Sequence, residues 1–283
     1  MQKVIWTLWW QGEDEMPSIV RECVGSMKKH ANGAEVIVLE KDNYNQYIEI
    51  PRVIKEKFNK GNITITHLSD IIRLELLYKY GGLWLDSTVM VSKDIPDLIF
   101  EAGFYTIKNG SGGDHENIAK ERWTGFILGG RPGNPVVEGV RQLEKAYWDT
   151  HEKLICYFLL DFWINDVYEA LPEAKALIDA VPDYEGSVHA QDDSIFSKLS
   201  WKKPVGNKVF RKIRSLMRYI KDFISIDNLK IWGFKIQWYT FLKNCTRISN
   251  GKIHMRIVTA YNKLISEYIG EIRKTFAMEL EKV

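Results

Sequence analysis

Three charged residues in one short stretch are spaced for chemistry. Asp70 and Arg73 stand three apart at the head of "SDIIRLELLYKYGGLWLDSTV", and Gly81-Gly82 separates them from "LWLD", which ends on Asp86. An i,i+3 pair shares one helix face. A carboxylate closing a strand sits where open α/β sheets collect their ligands. A guanidinium among carboxylates can grip an anionic group or steady charge that develops as a bond breaks. A surface ion pair and a turn aspartate would have the same spacing, and both readings stand at this point. Asp161 lies between Leu160 and Phe162 in the apolar stretch "HEKLICYFLLDFWINDVYEAL". A carboxylate in that company finds partners or keeps a proton, as a site residue or as a structural acid bonded to a helix end or a tyrosine.

The elements that must position these residues alternate in type. "IWTLWW" reads as a first strand. A helix opens at Pro17, carries Ile19, Val20, Cys23, Val24 and Met27 at helical spacing, and ends at Asn32-Gly33. "EVIVLE" is a second strand, Pro51 to Gly61 a second helix, and Thr66 or Ser69 caps a third that Gly81 terminates. Further strands flank the glycine-rich Asn109 to His115, a helix enters at Pro135, and another covers the Asp161 stretch. This order predicts an α/β fold with a mostly parallel sheet covered by helices on both faces. The glycines match neither a dinucleotide nor a P-loop fingerprint.

A chain of 283 residues, 45% hydrophobic, can bury the core of one domain of about 200 residues plus an appendage. Cys23, Cys156 and Cys245 form neither a disulfide framework nor a zinc knuckle, which fits a reducing, cytoplasmic setting. The amino-terminal apolar run is too short for a signal core, and Asp161 interrupts the longest apolar run, so no membrane span is expected. Charge is segregated. From Lys202 to Lys263 fifteen Lys or Arg face only Asp222 and Asp227, against a net charge of +2 for the whole chain. "NKVFRKIRSLMRYIKDFI" pairs an apolar stripe with a basic face, and "IWGFKIQWYTFLK" adds interfacial aromatics. The expected division is a catalytic unit at 1–203 and a basic, helix-rich region at 204–283 that seats on an anionic membrane face. A solvated basic face with its stripe packed inward is the competing reading. No DNA or RNA motif accompanies the charge, and no nucleic-acid partner is expected.

"THLSDIIRLELLYKYGGLWLDSTV", together with "IWTLWWQG", resembles the capsular polysaccharide synthesis family of bacterial glycosyltransferases. It also resembles the wider set related to yeast mannosyltransferases and large clostridial glucosylating toxins. The likeness runs loosely from Lys3 to about Lys203. It implies a GT-A-like, Rossmann-type fold, a nucleotide-sugar donor, most simply a UDP-sugar, and transfer with retention of configuration to a growing polysaccharide or lipid-linked acceptor. By resemblance Trp9 stacks on the donor base, Asp70 and Arg73 hold donor sugar and phosphate, and Asp86 is the first acid of a DxD motif. Gln11, Gly12, Ser69 and Gly82 fall in the same blocks and are assigned to the donor with them. Thr88 stands where DxD carries its second carboxylate, so a divalent metal, Mn²⁺ or Mg²⁺, on Asp86 and Thr88 is expected to bind weakly and to be completed by the diphosphate. Lys198 or Lys202 could add a second charge opposite Arg73. Asp161, Asp192 and Asp193 are candidates for holding the acceptor or a cationic ring, and Trp123 and Trp163 for an aromatic wall, each with a structural alternative. A catalytically silent nucleotide-sugar-binding scaffold is the rival from another class. An aspartyl phosphatase, which needs an acid at position 88, is the weaker rival.

Overall fold

The computed structural model describes residues 3–108 and 118–183, with 263, 266, 267, 269 and 270. Five strands form one sheet: β1 (Val4–Leu8), β2 (Glu35–Leu39), β3 (Gly82–Leu85), β4 (Phe104–Thr106) and β5 (Ile127–Gly130). They are ordered β2-β1-β3-β5-β4. β1 runs parallel to β2 and β3, whereas β5 is antiparallel to both β3 and β4. The α/β class and the parallel strands around β1 are as the sequence pattern implies, and on one side β5 runs against the other four strands, with β4 beyond it. The carboxyl ends of β1, β2, β3 and β4 and the amino end of β5 consequently share one edge.

Successive side chains of a strand point to opposite faces, and the two cores sort accordingly. Ile5, Leu83 and Leu85 face a smaller core with Val20, Val24 and Met27 of α1 (Ser18–Lys29) and Ile99 and Phe100 of α4 (Leu98–Glu101). Val4, Trp6 and Trp84 face a larger core built with α2 (Arg52–Asn59), α3 (Ile65–Tyr80), α5 (Pro135–Thr150), α6 (Leu159–Ala170) and α7 (Pro172–Asp179). Helices thus cover both faces. Ile269, from the C-terminal region, is also buried in the larger core. The expected boundary at 203/204 and the basic stripe lie outside the described residues. No helix among the described residues is long and apolar enough to cross a membrane.

Two helix boundaries differ from the sequence reading. The N-cap of α3 is Thr64, whose hydroxyl accepts the His67 N–H, rather than Thr66 or Ser69. Thr64 is extended and the chain turns helical directly after it. Ser69 lies inside the helix and donates to the Thr66 carbonyl at 2.6 Å. α6 begins only at Leu159, so Asp161 belongs to its first turn and not to the middle of a longer helix. At the other end of α3, Gly81 has φ +65°, and a Cβ there would sit 2.7 Å from the Gly130 carbonyl oxygen. Glycine is required for this reversal, which sends the chain from α3 straight into β3. The first turns of α3 therefore return to the edge where β3 ends.

Candidate active site

Arg73 and Asp86 meet at that edge. Asp86 follows β3 directly, its N–H held by the Phe126 carbonyl at 3.0 Å. The Arg73 Nη2 donates to Asp86 Oδ1 at 2.8 Å and lies 3.2 Å from Asp70 Oδ1. Its Nη1 donates to the Gly125 carbonyl. The Trp84 indole N–H binds the same Asp86 Oδ1 at 2.7 Å, and the guanidinium carbon lies 4.9 Å from the centre of the Trp84 ring. Arg73 is only 4% exposed at its side chain while Asp86 is 39% exposed. One guanidinium is thus fixed between two carboxylates. Asp86 Oδ2, which takes no hydrogen bond among the described residues, is left for a ligand. Nη2 faces both carboxylates while Nη1 is spent on the backbone, so the two ends of one planar group do different work. The i,i+3 pair is buried site architecture, not a surface ion pair.

Two further acids lie beneath. The Trp123 indole donates to Asp161 Oδ1 at 3.1 Å, and the Trp148 indole donates to Glu144 Oε1 at 2.7 Å. Burial pushes Asp70 up to about 7, helped by Asp86 and Asp161 and opposed by Arg73. Burial likewise lifts Asp161 to about 6 against its Trp123 bond and Arg73. Glu144 rises to about 7 through burial and the charge of Asp70, with the Trp148 bond opposing. A single guanidinium cannot neutralise so many acids in a low-dielectric seam, so protons stay on some of them near neutral pH. Strongly perturbed acids in a crevice are a functional signal.

Glu144 is the residue that the sequence reading missed. It falls on the buried stripe of α5 with Val140, Leu143, Tyr147 and Trp148. An acid in a core position of an amphipathic helix was the available signal.

The other expected site residues divide. Trp9, half-buried just past β1, Gln11, exposed, and Gly12 all lie at the carboxyl edge with Asp86. Gly12 has φ +96°, and a Cβ there would sit 2.5 Å from the Glu40 carboxylate, so the chain passes closely over the end of β2. Thr88 is exposed in the turn closed by the Val89 N–H to Asp86 carbonyl bond at 2.9 Å. Ser69 is spent on the helix backbone, as described. Gly82 starts β3, at the opposite end from Asp86, and a Cβ there would lie 2.5 Å from the Val4 carbonyl oxygen. Its role is close strand packing, away from any donor at Asp86. Trp123 and Trp163 are 2% and 0% exposed and belong to the core, so neither forms an aromatic wall. Lys198, Lys202, Asp192 and Asp193 lie outside the described residues.

The sheet and this edge define an α/β protein with a cluster of charged residues at its strand ends. The chain belongs to the capsular polysaccharide synthesis protein family, which it matches over residues 1–221. It is also similar to the O-glycosyltransferase braB of Annulohypoxylon truncatum, with 24% identity over 52% of this chain and 38% of that protein. The O-glycosyltransferase PaGT of Phomopsis amygdali is 28% identical over 34% of this chain and 26% of its own length. The chain thus matches well under half the length of these relatives. Among solved structures it is similar to the PaToxG glycosyltransferase, with 14% identity, a TM-score of 0.42, and coverage of 67% of this chain and 82% of that one.

Proposed function

We propose that this protein is a glycosyltransferase that moves a sugar from a nucleotide-sugar donor to an oligosaccharide or lipid-linked acceptor of a surface polysaccharide. The observation that carries the reading is Arg73 locked between Asp70 and Asp86 at the carboxyl edge of the sheet. Membership in a capsular polysaccharide family, and similarity to two O-glycosyltransferases, support it.

Breaking the anomeric bond to a nucleoside diphosphate builds negative charge on phosphate and positive charge on the sugar ring. The nearly covered Arg73 acts chiefly by fixing Asp86 and offsetting its charge. Asp70 and Asp161, when ionised, favour the cationic ring. Among the described residues no group of three or more His, Cys, Asp or Glu could hold a metal by itself. Asp86 Oδ2 and the exposed Thr88 hydroxyl fit a divalent Mn²⁺ or Mg²⁺ only if donor oxygens complete the shell. When bound, such an ion would offset charge on the leaving diphosphate, a task that Lys198 or Lys202 would share. We read the transfer as retaining, by attack on the face the diphosphate leaves, with the departing phosphate taking the acceptor proton. A UDP-sugar is the donor we favour, and the basic region beyond residue 203 would hold the enzyme at an anionic inner membrane face.

A silent nucleotide-sugar-binding scaffold is the second reading, favoured by Thr88 where a carboxylate would strengthen metal binding. A melting screen across UDP-sugars, with and without Mn²⁺, tests both. A donor at 100 times its Kd adds roughly 2.7 kcal/mol. Donor hydrolysis that disappears in Asp86→Ala supports the enzyme. Binding without turnover supports the scaffold, and wild-type turnover in Asp86→Ala would overturn the site.

A further inference from the structure

We propose that the Tyr157 ring is a platform for the first sugar of the acceptor. The inference rests on the glycosyltransferase reading and adds a subsite to it. Ile65, Leu98 and Tyr157 are the exposed large hydrophobic residues among those described, at 36%, 66% and 43%. Leu98 opens α4 on the far side of the sheet. Ile65 and Tyr157 stand at the amino ends of α3 and α6, the two helices that carry Asp70 and Asp161.

The residue is anchored to α3 at its backbone. His67 Nε2 lies 3.2 Å from the Tyr157 carbonyl oxygen and its Nδ1 lies 2.7 Å from the Thr64 hydroxyl. A carbonyl only accepts, so the proton is on Nε2, and Nδ1 accepts from Thr64. Burial lowers the His67 pKa and keeps this neutral form. The His67 and Phe158 rings meet Tyr157 edge-on, with centroids 5.8 and 5.1 Å away.

Position then selects the occupant. His67 precedes Asp70 by three residues on the same face of α3, and Tyr157 lies two residues before α6 begins. Along α3 the His67–Tyr157 contact therefore lies about one helical turn, roughly 5.4 Å, from Asp70, which is close to the width of a pyranose ring. An acceptor whose hydroxyl reaches a donor sugar at Asp70 and Asp161 would lay its own ring over Tyr157. The apolar C–H face of a sugar suits an aromatic face, and the ring hydroxyls would remain in water. One ring beside a charged crevice is too small for a protein interface, which buries about 800 Å² per partner.

Saturation-transfer NMR with methyl α- and β-glucoside, galactoside and mannoside, alongside calorimetry with UDP, tests the platform. At least one glycoside should bind the wild type, bind Tyr157→Phe comparably, and bind Tyr157→Ala about tenfold more weakly, with the UDP Kd unchanged. Tyr157→Leu keeps bulk without the ring and should lose glycoside binding while melting like the wild type. If no glycoside binds the wild type, or if the Leu and Ala variants bind as well as it does, the platform is wrong. Absence of UDP binding to the wild type would instead count against the donor reading, while the glycoside comparison remains readable by itself.

Discussion

The two faces of the sheet bury similar kinds of apolar side chain and differ in what they admit beside them. Between α1, α4 and the sheet the core is hydrophobic, and the polar pairs Lys28–Glu13 and His30–Asp94 sit at its surface. The face covered by α2, α3, α5 and α6 instead holds every buried acidic or basic side chain among the described residues: Lys57, His67, Arg73, Glu144 and Asp166. Lys57 and His67 are spent on backbone carbonyls, Lys57 on those of Trp148 and His151. Arg73 and Glu144 serve the edge where β3 ends. Apolar packing alone secures a sheet, so the acids of the second face need another reason, and they collect where three helices approach one strand end. The two faces thus differ in what they bury, one almost wholly apolar and the other admitting acids and bases beside a larger apolar core.

Removing the guanidinium tests that difference most severely. Arg73→Met strands Asp70 and Asp86 without their cation and should abolish turnover, with a loss of about 3–5 kcal/mol in stability measured by denaturant unfolding. The matching change on the other face, Lys28→Met, should shift stability by less than about 1 kcal/mol. Equal effects from the two would erase the contrast. A cavity on the apolar face sharpens it. Met27 is fully buried against α1 neighbours, and Met27→Ala should cost about 2–5 kcal/mol while leaving the UDP Kd unchanged in calorimetry. A large change in UDP affinity would show the faces to be coupled.

The smallest expected effect depends on pH. The folded-state pKa of Glu144 is raised from 4.5 to about 7, so the native state holds a proton that the unfolded chain has already lost over this window. Stability from this group is present below 4.5 and is lost as pH rises through 7. Glu144→Gln keeps an acceptor for Trp148 without the charge. It should raise stability by about 2 kcal/mol at pH 8 and by much less at pH 5, read from thermal melts at both values. An equal gain at the two pH values would mean that Glu144 is not the buried acid described here.

Much of this was open to reading from residue order. Asp86 was legible because a strand that ends on an acid after a double glycine is a local pattern, and Asp70 and Arg73 because i,i+3 spacing is intrinsic to a helix. Gly82 was misplaced because a glycine's neighbours belong to another strand, here Val4 of β1. Trp123 and Trp163 were ambiguous, since an aromatic residue has the same letter in a core and on a sugar-binding wall. The cap of α3 shifted by a few residues because Thr64, Thr66 and Ser69 are each able caps, and backbone geometry chose among them.

The sequence by itself determined the alternation of strands and helices, the helix face shared by Asp70 and Arg73, and the strand that delivers Asp86, because periodicity and turn chemistry act over a few residues. Only the tertiary structure decided that Arg73 would be clamped between Asp70 and Asp86, that β5 would run against the other four strands, and that Glu144 and Asp161 would share a buried seam with them. Burial and charge coupling arise between segments far apart in the chain. Their strength depends on the water excluded when α3, α5 and α6 close over the sheet edge, and no local stretch of residues carries that information.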